Sequence, residues 1–278
     1  MDLEILESHP TGGAATGGVP FLFVHGAWHG AWCWADNVLP YVAARGHHAY
    51  AVSLRGHGRS GLTGSLRRAS LGDYVADVAT AVEKLGRAPV LVGHSMGGLV
   101  VQRYLAAGGR AAACALVASV PPGGVLKTTL RVARRYPLAF LRANLTLSLW
   151  PIVSTPARAS EWLLRESSTP EEAAAVHARL QDESYLAFLG MLAPRVDSSR
   201  VRVPVLVIGA GEDRMFSPAQ VRATARSYGV EAEIVAGAAH DLMLDPAWQQ
   251  VAARIVEWGE QLAIPGRGAG ASAGPSAT

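Results

Sequence analysis

The residues best placed to do chemistry are Gly93-His94-Ser95-Met96-Gly97, a serine between two glycines where the apolar run Pro89-Val90-Leu91-Val92 gives way to a helical pattern. A serine hydroxyl becomes a nucleophile only when a neighbouring base takes its proton and nearby donors stabilise the oxyanion that follows. Read as strand, tight turn and helix, the stretch puts Ser95 at the apex of the turn. Gly93 and Gly97 lack a Cβ, so strand and helix can close tightly on either side of it. Backbone N–H groups at the start of a helix are free, and the positive end of its dipole favours an anion there. A glycine-rich structural turn would show the same five letters. The context argues for more: a β-branched run precedes, and Met96, Leu99, Val100 and Tyr104 follow at the spacing of a buried helix face.

Such a serine needs a rigid frame, and the rest of the chain supplies one. Phe21-Leu22-Phe23-Val24, bounded by Pro20 and His25-Gly26, is a continuous apolar run that fits a parallel strand buried on both faces. Further strands are predicted over 48–52, 113–118, 203–209 and 231–235, with an alternating edge strand over 2–7 and a loop from Thr11 to Gly18. Helices are predicted over 36–44, over 73–85 with Gly86 as the stop, from the serine turn through Ala107, over 218–228, and through Trp258 near the end. Between Gly123 and Arg195 the pattern is helical with no strand run, and Thr169-Pro170-Glu171-Glu172 is a well-formed helix start.

Composition narrows the field. Half of the 278 residues are apolar, enough for one large α/β domain with an insertion. The formal net charge is +3, but it comes from scattered arginines. The densest cluster, Arg131, Arg134 and Arg135, reads as a solvated helix face rather than a nucleic-acid site. The acidic, alternating start Met1-Asp2-Leu3-Glu4 is unlike a signal peptide, and no apolar run is long enough to span a bilayer. Cys33 and Cys114 read as buried thiols rather than a disulfide. A soluble cytoplasmic protein, monomer or homodimer, with no nucleic-acid or membrane partner, is the expectation. The histidines show no zinc-ligand spacing on one element, so no metal and no cofactor is expected.

His25-Gly26-Ala27-Trp28-His29-Gly30-Ala31-Trp32-Cys33-Trp34, directly after an early strand, resembles the oxyanion loop of α/β-hydrolase serine esterases, in particular the methylesterase and hydroxynitrile-lyase group and bacterial carboxylesterases. The resemblance implies an α/β-hydrolase fold, a mostly parallel central sheet flanked by helices. Its core would comprise residues 1–123 and 196–264, and a helical cap residues 124–195; residues 265–278, made largely of Gly, Ala, Ser and Pro, read by composition as a disordered tail. It pairs the backbone N–H of Ala27 with that of Met96 as the oxyanion hole, and puts Trp28 and His29 at the pocket mouth. Asp213, after the strand at 203–209, matches the position of the triad acid, with Glu212 as the alternative. His240, between the last strand and the last helix, matches the catalytic histidine. Ser53-Leu54-Arg55-Gly56-His57-Gly58-Arg59-Ser60 is similar to a family loop that usually begins with aspartate, and it reads as scaffold with His57 at the surface. His25 and Trp34 are structural or merely turn and core residues, and Asp241 and Asp245 read as loop and helix-start residues.

The chemistry implied is an acyl-serine mechanism on a small to medium apolar carboxylic ester, without a cofactor. Trp150, Trp162 and Phe188 are the cap aromatics singled out for substrate contact among many that pack. Thioesterase, lactonase, perhydrolase or biosynthetic acyl-transfer chemistry on the same triad remains open, as does a non-catalytic small-molecule receptor. A hydroxynitrile lyase similar in the first motif would carry threonine in the oxyanion loop and lysine after the histidine. Those positions here are Ala27 and Asp241.

Overall fold

The computed structural model describes residues 2–10 and 18–263; the loop expected over 11–17 and the tail expected from 265 lie outside the described residues. Seven strands form one sheet in the order β1-β3-β2-β4-β5-β6-β7. They are β1 (Ile5–Ser8), β2 (Phe21–Val24), β3 (Ala49–Val52), β4 (Val90–His94), β5 (Ala113–Val117), β6 (Val205–Ala210) and β7 (Ala232–Val235). Only the edge strand β1 is antiparallel to its neighbour. The alternation of a strand explains how the sheet is buried twice over. Leu22 and Val24 belong to the core on the side of α3 (Leu71–Leu85), α4 (Ser95–Ala106) and α11 (Pro218–Ser227), while Phe21 and Phe23 belong to the core on the side of α1 (Trp32–Ala35), α2 (Val38–Ala44) and α12 (Trp248–Ala263). This is an α/β-hydrolase fold.

The helix ends follow local chemistry. Helix α3 begins two residues before the predicted start, because Ser70 is the N-cap: its Oγ accepts the Asp73 N–H at 3.1 Å and the Asp73 carboxylate reaches back to the Ser70 N–H at 2.8 Å. Gly86, at φ +68°, ends it as expected. Between β5 and β6 lie α5 (Leu126–Arg135), α6 (Pro137–Thr146), α7 (Trp150–Val153), α8 (Pro156–Leu163), α9 (Pro170–His177) and α10 (Tyr185–Leu192), with no strand among them. Thr169 and Glu172 form the capping box read from the sequence.

Two loop residues differ from expectation. His57 is not a surface residue; it is fully buried, with Nε2 3.3 Å from Glu183, whose carboxylate also accepts the Tyr74 hydroxyl at 2.6 Å. The sequence could not show this, because Glu183 arrives from the segment before α10. Burial would push the His57 imidazole down, but the Glu183 charge raises it above its ordinary value. Ser53, standing where the family loop usually has aspartate, donates to Glu4 at 2.7 Å and accepts the Ala31 N–H at 2.8 Å, so the carboxylate comes from the chain's start instead. Cys33 and Cys114 are both buried free thiols. Among the described residues no helix is long and apolar enough to cross a membrane.

Candidate active site

The chain reverses direction across the sheet between β2 and β4, and a crevice forms beyond the strand ends where that happens. The loop after β2 and the turn after β4 meet there. Ser95 sits at φ +50°, the strained apex expected of the turn. The close approach depends on missing side chains: a Cβ on Gly97 would stand 2.3 Å from the His25 carbonyl oxygen, and one on Gly26 would stand 2.9 Å from Ser95 Cβ.

Residues far apart in the chain converge on this serine. Ser95 Oγ lies 3.0 Å from His240 Nε2, and His240 Nδ1 lies 2.9 Å from Asp213 Oδ2. The second oxygen of Asp213 accepts the N–H groups of Met215 at 2.7 Å and Phe216 at 2.9 Å, which fixes the carboxylate. Glu212, the alternative acid, has its side chain exposed and makes no contact with His240 among the described residues. His240 is buried, which by itself would push its imidazole down; the charge and hydrogen bond of Asp213 and the nearby charge of Asp241 outweigh that and raise it above its ordinary value. The backbone N–H groups of Ala27 and Met96 have no hydrogen-bond partner among the described residues. A base facing a serine hydroxyl, an acid fixing the base and two free donors nearby are the parts that acyl transfer needs.

Behind His240 lies a polar cluster that the sequence reading missed. Asp241 is buried, not a plain loop residue: its Oδ2 is 3.1 Å from His29 Nε2, and its other oxygen is 3.8 Å from His94 Nε2. His29 Nδ1 faces the Ala27 carbonyl at 2.8 Å, so both ring nitrogens face oxygen atoms. Burial would raise the Asp241 carboxyl, but His29 and the neighbouring histidines hold it below the usual range. His94 is buried too and is pushed down to about 3, first by burial and then by His240; its Nε2–H donates to the His240 carbonyl at 3.0 Å. The cluster therefore ties the His240 loop to the loop carrying Ala27. Asp241 and His94 each stand one position from a predicted site residue, and His29 was itself singled out, but for the pocket mouth rather than for Asp241. His94, His240 and Asp241 bring donor atoms within 4.8 Å of one another, yet His240 uses both ring nitrogens on Ser95 and Asp213, so a cation there would take the serine's base away.

An apolar cavity opens from Ser95 and reaches Trp28, Val120, Phe140, Ile152, Phe188 and Phe216. Its walls come largely from α5, α6 and α10, and its polar side chains are mostly occupied: Thr128 donates to the Met215 carbonyl at 2.7 Å and the Tyr185 hydroxyl to Asn144 at 2.6 Å. Of the residues singled out for substrate contact, Trp28 and Phe188 line this cavity, and His29, Trp150 and Trp162 do not. His29 is drawn away by Asp241, Trp150 packs on His177 with ring centroids 5.4 Å apart, and Trp162 is buried against Tyr136. Aromatic density marked the segment correctly, but not which side of each helix faces inward.

A serine turn after β4, an acid after β6 and a histidine after β7 of a mostly parallel sheet are the arrangement of the α/β-hydrolase fold. The family model described as "Alpha/beta hydrolase family" matches residues 21–254, and the chain belongs to that family. The chain is 41% identical over 108 residues to a non-heme haloperoxidase of Rhodococcus erythropolis, a match covering 38% of each chain. It is 45% identical over 89 residues to the probable esterase PIR7A of Oryza sativa subsp. indica, covering 30% of this chain and 32% of that one. These matches thus span about a third of the curated relatives' length. An esterase from Thermogutta terrifontis has a similar structure, with a TM-score of 0.71 at 20% identity, covering 94% of this chain and 93% of that one.

Proposed function

We propose that the chain is a serine carboxylic ester hydrolase that cleaves a small to medium apolar ester through an acyl-serine intermediate. The observation that carries the reading is the unbroken path from Ser95 Oγ through His240 to Asp213, set beside two unpartnered N–H groups and an apolar cavity. His240 takes the Ser95 proton as Oγ attacks the ester carbonyl, and Asp213 fixes its tautomer and balances the imidazolium. The N–H groups of Ala27 and Met96 receive the tetrahedral oxyanion; one such donor is worth about 3 kcal/mol in the transition state. His240 then protonates the leaving alcohol, and a water activated by the same ring releases the acid.

The segment 124–195 acts as a cap over this site. Its inner faces offer mostly apolar side chains, and most of their few polar atoms are already bonded, which selects an acyl or alcohol group of the same character. Trp28 and Phe188 are the aromatic contacts of the bound group. A p-nitrophenyl ester series tests the reading: the wild type should give a stoichiometric burst that disappears in Ser95→Ala and His240→Ala. Folded wild-type protein that neither bursts nor turns over on esters would refute it.

A further inference from the structure

The helices that wall the cavity carry apolar residues on their outer faces as well. Among the described residues, all but one of the exposed large apolar side chains lie between Leu126 and Leu189. On α6, Leu138, Leu141 and Leu145 recur at the spacing of one helix face, opposite the buried Ala139 and Ala143; Leu138 is 81% and Leu145 76% exposed. Leu126 and Leu130 repeat the arrangement on α5, and Leu186 and Leu189 on α10. The three helices adjoin: Tyr185 of α10 bonds to Asn144 of α6, and the Val125 N–H, at the start of α5, bonds to the Met191 carbonyl of α10 at 2.9 Å. A monomeric protein rarely leaves so many leucines together in water.

Charge says what would cover them. Residues 124–150 hold Lys127, Arg131, Arg134, Arg135 and Arg142 and not one Asp or Glu, and without these cations the formal charge of +3 would turn negative. Arg135 is paired with Glu161, and Arg131 donates to the Arg214 carbonyl. Lys127, Arg134 and Arg142 have no acidic partner among the described residues. A second copy of this face would bring like charges together. Leucines that project singly from three helices, with cations on two of them and no acid on any, suit a fluid surface that needs no matching shape.

We propose that the outer faces of α5, α6 and α10 dock on an anionic phospholipid surface, with the leucines in the interfacial layer and the cations among the headgroup phosphates. The solvated basic face read from the sequence is thereby half of a mixed surface that only the fold assembles. The proposal stands independently of the ester-hydrolase reading.

Co-sedimentation of the full chain with sucrose-loaded vesicles tests it. Wild type should pellet with phosphatidylglycerol vesicles at low salt, bind phosphatidylcholine vesicles far more weakly, and be released as salt rises. Lys127→Glu with Arg134→Glu, two changes at exposed positions away from the core, should weaken binding to phosphatidylglycerol roughly tenfold or more. Leu138→Asp with Leu141→Asp and Leu145→Asp should abolish it, with circular dichroism melting as the check on folding. Wild type that stays in the supernatant with phosphatidylglycerol overturns the proposal. So does charge-reversed protein that pellets as the wild type does. A wild-type dimer that the leucine variants split, without vesicle binding, would assign the face to a second copy instead and equally overturn it.

Discussion

On the floor of the cavity, the polar side chains around Ser95 are gripped by polar contacts: Asp213 by two backbone N–H groups of its own loop, His240 by Asp213 and Ser95, Asp241 by His29. On its roof, polar atoms bond mainly to neighbouring helices and leave an apolar wall. The floor rests on strand ends packed on both sides, where a displacement of tenths of an ångström meets backbone atoms. The roof is built of short helices whose outer sides remain exposed. On the proposed function, the contrast separates two tasks: rigid geometry that sets the chemical step, and a surface of replaceable parts that sets what enters. It also shows why function concentrates on loops held by a scaffold.

The sharpest way to break that division is to remove parts of the floor and ask whether anything but the chemical step changes. Ser95→Ala should lower kcat by roughly 10⁴-fold or more while leaving the melting temperature near that of the wild type, because it removes one hydroxyl and keeps the Cβ and the backbone geometry of the turn. Asp213→Asn should cost roughly 10³- to 10⁴-fold in kcat, since the amide supports the wrong histidine tautomer. If either variant kept near-normal turnover, the path through His240 would not be the reacting one.

The third change probes the cluster behind the floor. Asp241→Asn should lower kcat about tenfold with KM little changed, an expected loss in the range for a group that acts through its neighbours. Its pH profile carries a sign. Free His240 must be neutral to accept the serine proton, so the acid limb of kcat/KM follows its pKa, which Asp213 and Asp241 hold above the ordinary value. Removing the Asp241 charge should move that limb to lower pH. A limb that stays in place would reduce the His29–Asp241 pair to packing.

The smallest effects belong to the roof, and there the two aromatic classes should part. Phe188→Ala should change KM several-fold and shift chain-length preference on an ester series, leaving kcat for the best substrate within a few-fold. Trp162→Ala, at a buried residue outside the cavity, should instead cost about 3 kcal/mol of stability in denaturant titration and leave chain-length preference alone. The opposite pattern would mean that the cavity seen here is not where substrate sits.

How far the sequence alone reached can be judged residue by residue. Gly93-x-Ser95-x-Gly97 between an apolar run and a helical pattern announced a strand-turn-helix, because local sterics and periodicity act within a few residues. The same holds for the buried strands, for the Thr169 capping box and for the absence of strands between β5 and β6. The order of Ser95, Asp213 and His240, each after a strand, was legible through the resemblance to α/β-hydrolases, and it makes physical sense because parallel strands send their following loops to one end of the sheet. Pairings across the chain were not legible. Ser53 gave no hint that Glu4 would supply its carboxylate, nor His57 that Glu183 would bury it, nor His29 that its partner would be Asp241, 212 positions away. Which face of each roof helix turns inward also waited on the fold, since Trp150, Trp162 and Phe188 are equally apolar and differ only in what they pack against. Propensity, turns and caps are decided by near neighbours and are written in the order of the residues. The pairing of buried charges and the choice of an inward face depend on which distant segments share the same few ångströms, and only the packed tertiary structure decides that.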